Sequence, residues 1–289
     1  MNRREFIQTT SLAAAGVMLL PSFTLADQKK IGLQLYSLRD LMPKDPKGTL
    51  KMVADLGYKE VETYGYGDGK LFGMAAKEFG SYAKSLGLKI PSGHYSTGQA
   101  RPEAKGTLTN DWERAVADAK EIGQEFMIIA WLDPSERKSL DDYKKVCDLI
   151  NKGSETCKKY GIRIGYHNHE FEFMKLEDQV PYDLMLAQLD KKNVSMELDL
   201  YWTAFAQVNP LDYFAKYPGR FEQWHVKDMD KADPKKQVDV FTGRIDFKAI
   251  FAKAKQSGLK HFYIEQEQYA VSSSESIKNC IANFKKNLG

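Results

Sequence analysis

From residue 31 onward, short apolar runs alternate with longer stretches whose apolar residues recur at helical spacing. Strands are expected to begin near Ile31, Tyr58, Leu88, Glu125, Gly161, Val194, Phe221 and Lys260. Helices are expected over Pro46–Leu56, Met74–Leu86, Asp111–Ile122, Pro134–Tyr160, Pro181–Leu189, Leu211–Tyr217, Phe247–Ser257 and Ser274–Asn287. Asp133-Pro134-Ser135-Glu136 puts a proline in a first helical turn, and Gly161 and Gly258 stand where a helix would stop. Eight strand–helix repeats in about 260 residues predict an α/β fold, a (β/α)8 TIM barrel forming a single domain. A doubly wound sheet would carry a glycine-rich turn after its first strand, whereas here that strand runs into Gln34-Leu-Tyr-Ser-Leu-Arg39. Gly65-Tyr-Gly-Asp-Gly69 reads as a mobile loop, and the polar stretch Asp228–Thr242 as a long loop at the barrel mouth.

Four of the expected strands break their own rule. A strand covered by helices should stay apolar to its end. Instead Ile162–His169, Val194–Asp199, Phe221–Lys227 and His261–Glu265 run into imidazole, carboxylate or ammonium groups. Such endings cost desolvation free energy unless a cation or a partner compensates. Four in succession predict a site at the barrel mouth. Asp199, His225 and Glu265, from three consecutive strands, are the leading metal ligands. His167 is the expected fourth; His169 shares its inward parity but lies nearer the open mouth, and Glu170 is a further candidate. Imidazoles with carboxylates suit one divalent ion of the Zn, Mn, Co or Fe type. Around that ion, His94, Lys227 and Glu62 are candidates for binding substrate, as is Trp131 for stacking on a substrate face. Tyr36 and Trp202 are further stacking candidates, Glu197 is a substrate contact or a support, and Glu267 and Asp228 are supports. His261, at a strand beginning on the opposite face, is expected to be structural.

Composition narrows the function classes. The chain has 289 residues, is 43% hydrophobic, and balances 42 basic against 39 acidic residues for a net charge of +3. That mixture leaves no electrostatic footprint for nucleic acid. Cys147, Cys157 and Cys280 include no Cys-x-x-Cys pair and read as buried free thiols. Residues 1–26 differ from the rest: Arg3-Arg4, an apolar run over residues 11–20 and Thr24-Leu-Ala26 resemble a twin-arginine export signal. The expectation is cleavage after 26, a barrel of residues 27–289, and a periplasmic protein with no membrane contact; an uncleaved signal would make it membrane-anchored.

Asn168-His-Glu-Phe-Glu-Phe173, Leu198-Asp-Leu-Tyr-Trp202, His225-Val-Lys-Asp228, Gly243-Arg-Ile-Asp-Phe247 and Ile264-Glu-Gln266 resemble the xylose-isomerase-like TIM-barrel superfamily, the sugar phosphate isomerase/epimerases. Gln34–Arg39 and Ser92-Gly-His94 extend the resemblance over essentially all of 31–289. It implies one divalent cation at the C-terminal ends of strands five to eight, and proton abstraction next to a sugar carbonyl. An ion on the carbonyl and the adjacent hydroxyl would stabilise the developing negative charge while a nearby base moves the proton. By this resemblance Glu265 is both ligand and base, and Glu172 matches a substrate-binding glutamate. Ketose epimerases of the family carry a second glutamate where His167 stands, so a symmetrical two-glutamate mechanism is not expected; His169 or Glu170 would supply the other base.

The leading expectation is therefore a metal-dependent sugar isomerase or epimerase acting on an unphosphorylated sugar or keto-sugar. A lyase or hydratase on 3-keto-glycosides and a non-catalytic sugar binder are the alternatives. An apurinic-site endonuclease would need three zinc ions and further histidines, one of them where Trp202 stands.

Overall fold

A computed structural model of the protein describes residues 31–288, so the expected signal at 1–26 lies outside the described residues. Eight parallel strands close into a barrel in sequence order. They are β1 (Gly32–Gln34), β2 (Glu60–Thr63), β3 (Lys89–Tyr95), β4 (Phe126–Ile129), β5 (Arg163–His167), β6 (Val194–Asp199), β7 (Phe221–Val226) and β8 (His261–Ile264), with β8 pairing back onto β1. Around them lie α1 (Pro46–Leu56), α2 (Ala76–Ser85), α3 (Trp112–Ile122), α4 (Leu140–Lys159), α5 (Pro181–Gln188), α6 (Leu200–Phe205), α7 (Pro210–Lys216), α8 (Phe247–Phe251), α9 (Ala254–Ser257) and α10 (Ser273–Leu288).

Alternation along the strands separates two environments. Outward residues such as Leu33, Val61, Met127, Ile164, Leu198, Trp224 and Phe262 are buried against the helices in one continuous apolar core. Inward residues are largely polar toward the mouth. Gly165 belongs to the inward set because a Cβ there would stand 2.4 Å from Ile128 Cδ1, so only glycine leaves room for that neighbour.

Two register shifts aim the inward set. Between β2 and β3 the pairing moves from Glu60↔Lys89 to Glu62↔Ser92, adding one residue to β3 at Ile90-Pro91, where proline has no N–H to give a ladder. Between β6 and β7 it moves from Met196↔Phe221 to Glu197↔Gln223, adding one residue to β7 at Glu222. A bulge changes which way the following side chains point. Ser92 and His94 thereby face the interior after the first, and Gln223 and His225 after the second.

The helices depart from the sequence reading at their ends. Pro134–Glu136 is a separate 3-10 turn with its own capping box, and α4 starts afresh at a second capping box formed by Ser139 and Asp142. The expected helix at Phe247–Ser257 divides into α8 and α9, because the Lys253 backbone leaves helical geometry. Met74 and Ala75 belong to a two-stranded ribbon with Lys70-Leu71 rather than to α2. Gly65–Gly69, read as a mobile loop, leads into this hairpin, with Gly67 and Lys70 exchanging both backbone hydrogen bonds at 3.1 and 3.0 Å. The long loop Asp228–Thr242 contains a second ribbon, Asp228-Met229 on Gln237-Val238. The three cysteines are buried and free, as expected.

The opposite end of the barrel is closed by charge pairs. His261 donates from Nδ1 to Glu60 Oε2 at 2.7 Å, with Glu125 Oε2 at 3.7 Å from Nε2. Arg163 pairs with Glu222 beside it. His261 is thus structural, far from the mouth.

Candidate active site

The mouth is built in two polar layers. In the deeper one, Glu62 from β2 and Glu197 from β6 meet the imidazoles of His94, His167 and His225. Glu197 Oε1 lies 2.9 Å from His94 Nε2, 3.0 Å from His167 Nδ1 and 3.3 Å from His225 Nε2. Glu62 Oε2 takes His225 Nε2 at 2.6 Å and Gln34 Nε2 at 2.7 Å, with His94 Nε2 at 3.1 Å. Its other oxygen accepts from Ser92 Oγ at 2.5 Å. All of these groups are buried apart from the half-buried His94.

Burial disfavours charge here, and the partners decide which groups keep it. Burial opposes protonation of His94, but Glu62 and Glu197 outweigh it and lift the ring to about 9. His225 is likewise raised against burial, by Glu197, Glu265 and Glu62. His167 goes down, through burial and the neighbouring imidazole of His225. The two carboxylates separate: burial and the charge of Glu62 push Glu197 up to about 7, whereas the imidazoles overcome burial and hold Glu62 well below its ordinary value.

The upper layer contains Asp199, Glu265, Lys227 and Glu267. Lys227 Nζ sits 2.5 Å from Glu267 Oε1, 2.8 Å from Glu265 Oε2 and 3.2 Å from Asp199 Oδ2. Glu265 Oε2 also takes His225 Nδ1 at 2.7 Å. Burial works against ionisation of Glu265, but Lys227 and His225 hold its carboxyl far below the usual range. Asp199 caps α6: Oδ1 accepts from Trp202 N at 2.9 Å, while Asn168 Oδ1 receives the Asp199 N–H at 3.1 Å. Its other oxygen, Oδ2, is buried, lacks a hydrogen bond of good geometry, and has Lys227 Nζ as its charged neighbour, with His167 Nε2 at 3.8 Å.

Donor atoms of Asp199, His225 and Glu265 lie within 4.8 Å of one another, as do those of His94, His167, Glu197 and His225. Three expected ligands therefore converge. His167 reaches Asp199 but clusters with the deeper group, and His225 belongs to both. The upper donors fit a divalent cation. They combine imidazole with carboxylate, and Asp199 Oδ2 has unmet lone pairs in a buried position. Below them, Glu197 and Glu62 receive the N–H groups of His167 Nδ1 and His225 Nε2, which turns His167 Nε2 toward Asp199 and His225 Nδ1 toward Glu265.

Above the layers lies a cavity of about 400 Å³, lined among others by Tyr36, Tyr64, His94, Trp131, His169 and Lys227, with Glu265 and Glu267 on its floor. Trp131 is 48% exposed and Tyr36 is 38% exposed. His169 is stacked on Phe171 and meets Trp131 edge-on at 4.8 Å. Burial and Lys227 lower His169 to about 3, which leaves it neutral, and its Nδ1 has no hydrogen-bond partner among the described residues.

The remaining candidates lie elsewhere. Glu172 is buried, with Tyr166 Oη donating to Oε1 at 2.5 Å and His169 N to Oε2 at 2.8 Å, and burial raises it to about 7. Its carboxylate thus anchors the His169 backbone from beneath. Glu170 is half-buried at the start of the 3-10 turn Phe171–Phe173 and is not among the cavity residues. Trp202 stands 5.6 Å from His169, with Lys227 Nζ 5.6 Å from its ring. Asp228 accepts three backbone N–H groups, from Met229, Gly243 and Ile245, which ties the mouth loop down. Sequence reasoning passed over Gln34 and Tyr64; the inward parity of Gln34 at the end of β1 was the available signal.

The description "Xylose isomerase-like TIM barrel" belongs to a family whose sequence pattern matches residues 50–284. The chain belongs to this family. A sugar phosphate isomerase/epimerase from Parabacteroides distasonis is 30% identical, with a TM-score of 0.76 over 89% of this chain and 97% of that one. An inosose dehydratase from Clostridium beijerinckii is 26% identical over 98 residues, 34% of this chain and 32% of that protein. The match thus spans about a third of that curated relative. An IOLI protein with a bound zinc atom shares the fold at 14% identity, with a TM-score of 0.70 over 89% of this chain and 97% of that one.

Proposed function

We propose that this barrel is a divalent-metal-dependent enzyme that moves a proton on the carbon beside a carbonyl of an unphosphorylated sugar or related polyhydroxylated ketone. The observation that carries this reading is the convergence of donor atoms of Asp199, His225 and Glu265, with His167 Nε2 3.8 Å from Asp199 Oδ2, at a point where Glu265 and His167 also line the cavity. These residues would hold the ion. When bound, a divalent ion supplies Lewis-acid polarisation of a carbonyl oxygen and its neighbouring hydroxyl. The zinc atom bound by the IOLI protein supports such a group on this fold.

The chain's own residues do the rest. His169 lines the cavity with a neutral ring and an unpartnered Nδ1; burial and the Lys227 charge make it a weak base, so it accepts a proton only when a substrate anion offsets that charge. Lys227 presents an ammonium to the same space and can donate a hydrogen bond to a substrate oxygen. Trp131 and Tyr36 offer apolar ring surface for a sugar face and shield the reacting carbon from water. A phosphate is disfavoured: among the described residues the lining contains one lysine and no arginine, and that lysine is already shared by three carboxylates.

A second reading, elimination of a hydroxyl or alkoxyl group beta to the carbonyl, is favoured by the asymmetry of the site. Where a symmetrical epimerase needs a second carboxylate base, His167 has Nδ1 on Glu197 and Nε2 facing Asp199. One imidazole and one ammonium make a base and an acid of different character, which suits elimination. The likeness to an inosose dehydratase supports it. Proton NMR in D2O of metal-loaded protein with keto-sugars and inososes tests both readings. Exchange beside the carbonyl that a chelator abolishes supports the proposal; its absence across the panel, with metal bound, rejects it. Accumulation of an unsaturated ketone selects elimination.

A further inference from the structure

Lys227 is 1% exposed, and three carboxylates of the upper layer share its ammonium. Two of the oxygens it touches, Asp199 Oδ2 and Glu265 Oε2, come from residues of the group that would hold the divalent ion. The ammonium, 2.8 Å from Glu265 Oε2 and 3.2 Å from Asp199 Oδ2, occupies the space beside both oxygens that an ion at about 2.0–2.2 Å from them would take. The two cations would also repel at close range in a buried setting.

We propose that Lys227 is the resident cation of the metal-free site and that a divalent ion displaces it, moving the ammonium off Asp199 and Glu265 and onto Glu267. The inference rests on the metal reading above. Glu267 is placed to receive the ammonium. It is already the nearest of the three carboxylates to Nζ, and its side chain is 29% exposed where those of Asp199 and Glu265 are 0% and 6% exposed. It lines the cavity, and it stands outside the three-residue metal group. Its backbone is fixed on both sides: Glu267 N donates to Gln237 Oε1 at 2.8 Å, and Glu267 O accepts from Arg39 Nη2 at 2.7 Å. The flexible four-carbon stem of lysine allows the shift without movement of β7.

The consequence is an ordered site. Without the ion, the ammonium neutralises the carboxylates and stabilises them as a buried cluster. With the ion, the same ammonium faces the cavity and is available to a substrate oxygen. Lys227 thereby couples metal loading to substrate recognition.

Calorimetric titration of Mn2+ into wild type, Lys227→Met, Glu267→Gln and the double variant tests this, with circular dichroism as the check on folding. Displacement predicts that Lys227→Met binds Mn2+ tighter by about tenfold or more. Glu267→Gln should bind it more weakly than wild type, because the ammonium loses its destination. In the double variant the affinity should return to that of Lys227→Met, since Glu267 acts through Lys227. Unchanged or weaker binding by Lys227→Met would overturn the proposal and make Lys227 a prop for the ligands. Additive effects in the double variant would overturn it too, as plain charge effects. If no folded variant and no wild-type protein binds Mn2+, Co2+ or Zn2+, the metal reading itself falls and displacement with it.

Discussion

Glu197→Gln probes the deeper layer without removing any expected ligand. Glu197 Oε1 receives His94 at 2.9 Å and His167 at 3.0 Å, with His225 at 3.3 Å. These contacts fix which nitrogen of each ring carries its proton and leave His167 Nε2 aimed at Asp199. An amide oxygen can still accept, but without charge. Net contributions fall from about 1.5–3 kcal/mol for a hydrogen bond to a charged group to about 0.5–1.5 for a neutral one. The contacts to the two expected ligands, His167 and His225, therefore lose about 2 kcal/mol together, or roughly 30-fold in metal affinity at 1.4 kcal/mol per decade. That lies within the 10–100-fold cost that loss of a group supporting a metal ligand typically carries, about 1.4–2.7 kcal/mol. Because burial and Glu62 raise Glu197 to about 7, the comparison belongs at an alkaline pH, where the wild-type carboxylate is ionised. Calorimetric titration with Mn2+ reads the affinity, and thermal melting reads the fold. An affinity within about twofold of wild type in a folded variant would refute the claim that this layer orients the ligands, since the expected loss is about fifteen times that.

His261→Gln tests the closed end of the barrel by pH. Burial opposes the His261 cation, but Glu125 and Glu60 raise it from 6.5 to about 9, so its stabilising contribution is complete below 6.5 and disappears as pH rises through 9; the melting-temperature gap between wild type and variant should shrink over that interval, and a constant gap would contradict the pairing. Glu172→Ala should retain metal but lower turnover, because the carboxylate anchors the His169 backbone; loss of metal would instead make Glu172 a ligand. Trp131→Ala should raise KM by several-fold, an effect of about 1 kcal/mol, with metal affinity unchanged; an unchanged KM would remove Trp131 from substrate contact. Replacing Arg3 and Arg4 by lysine should retain the precursor in the cytoplasm if the twin-arginine expectation holds; undisturbed periplasmic delivery would refute it.

The barrel was legible because its signal is periodic. Eight apolar runs separated by amphipathic stretches leave few alternatives, and polar residues at strand ends stood out against them. Asp199, His225 and Glu265 were readable for that reason, since each stands at or beside the C-terminal end of a strand, although the inward turn of His225 also depends on an extra residue, at Glu222. The deeper layer was harder to see. Glu62 and Glu197 lie inside strands, where a carboxylate resembles any satisfied polar group, and the inward turn of His94 depends on an extra residue at Ile90-Pro91 that alternation alone does not reveal. Glu172 was misleading for a related reason: Asn168–Phe173 carries three titratable groups in sequence, and only the fold turns Glu172 inward onto Tyr166. The shared ammonium of Lys227 was out of reach, because it depends on side chains from three strand ends meeting within about 3 Å.

The most direct test of a cation-binding mouth is the metal content of purified protein after loading and desalting, measured by inductively coupled plasma mass spectrometry for wild type and His225→Ala. The arrangement of Asp199, His225 and Glu265 predicts stoichiometric divalent metal in wild type and near-complete loss in a folded His225→Ala variant. Wild-type protein that retains no metal, or His225→Ala that retains as much as wild type, would contradict it.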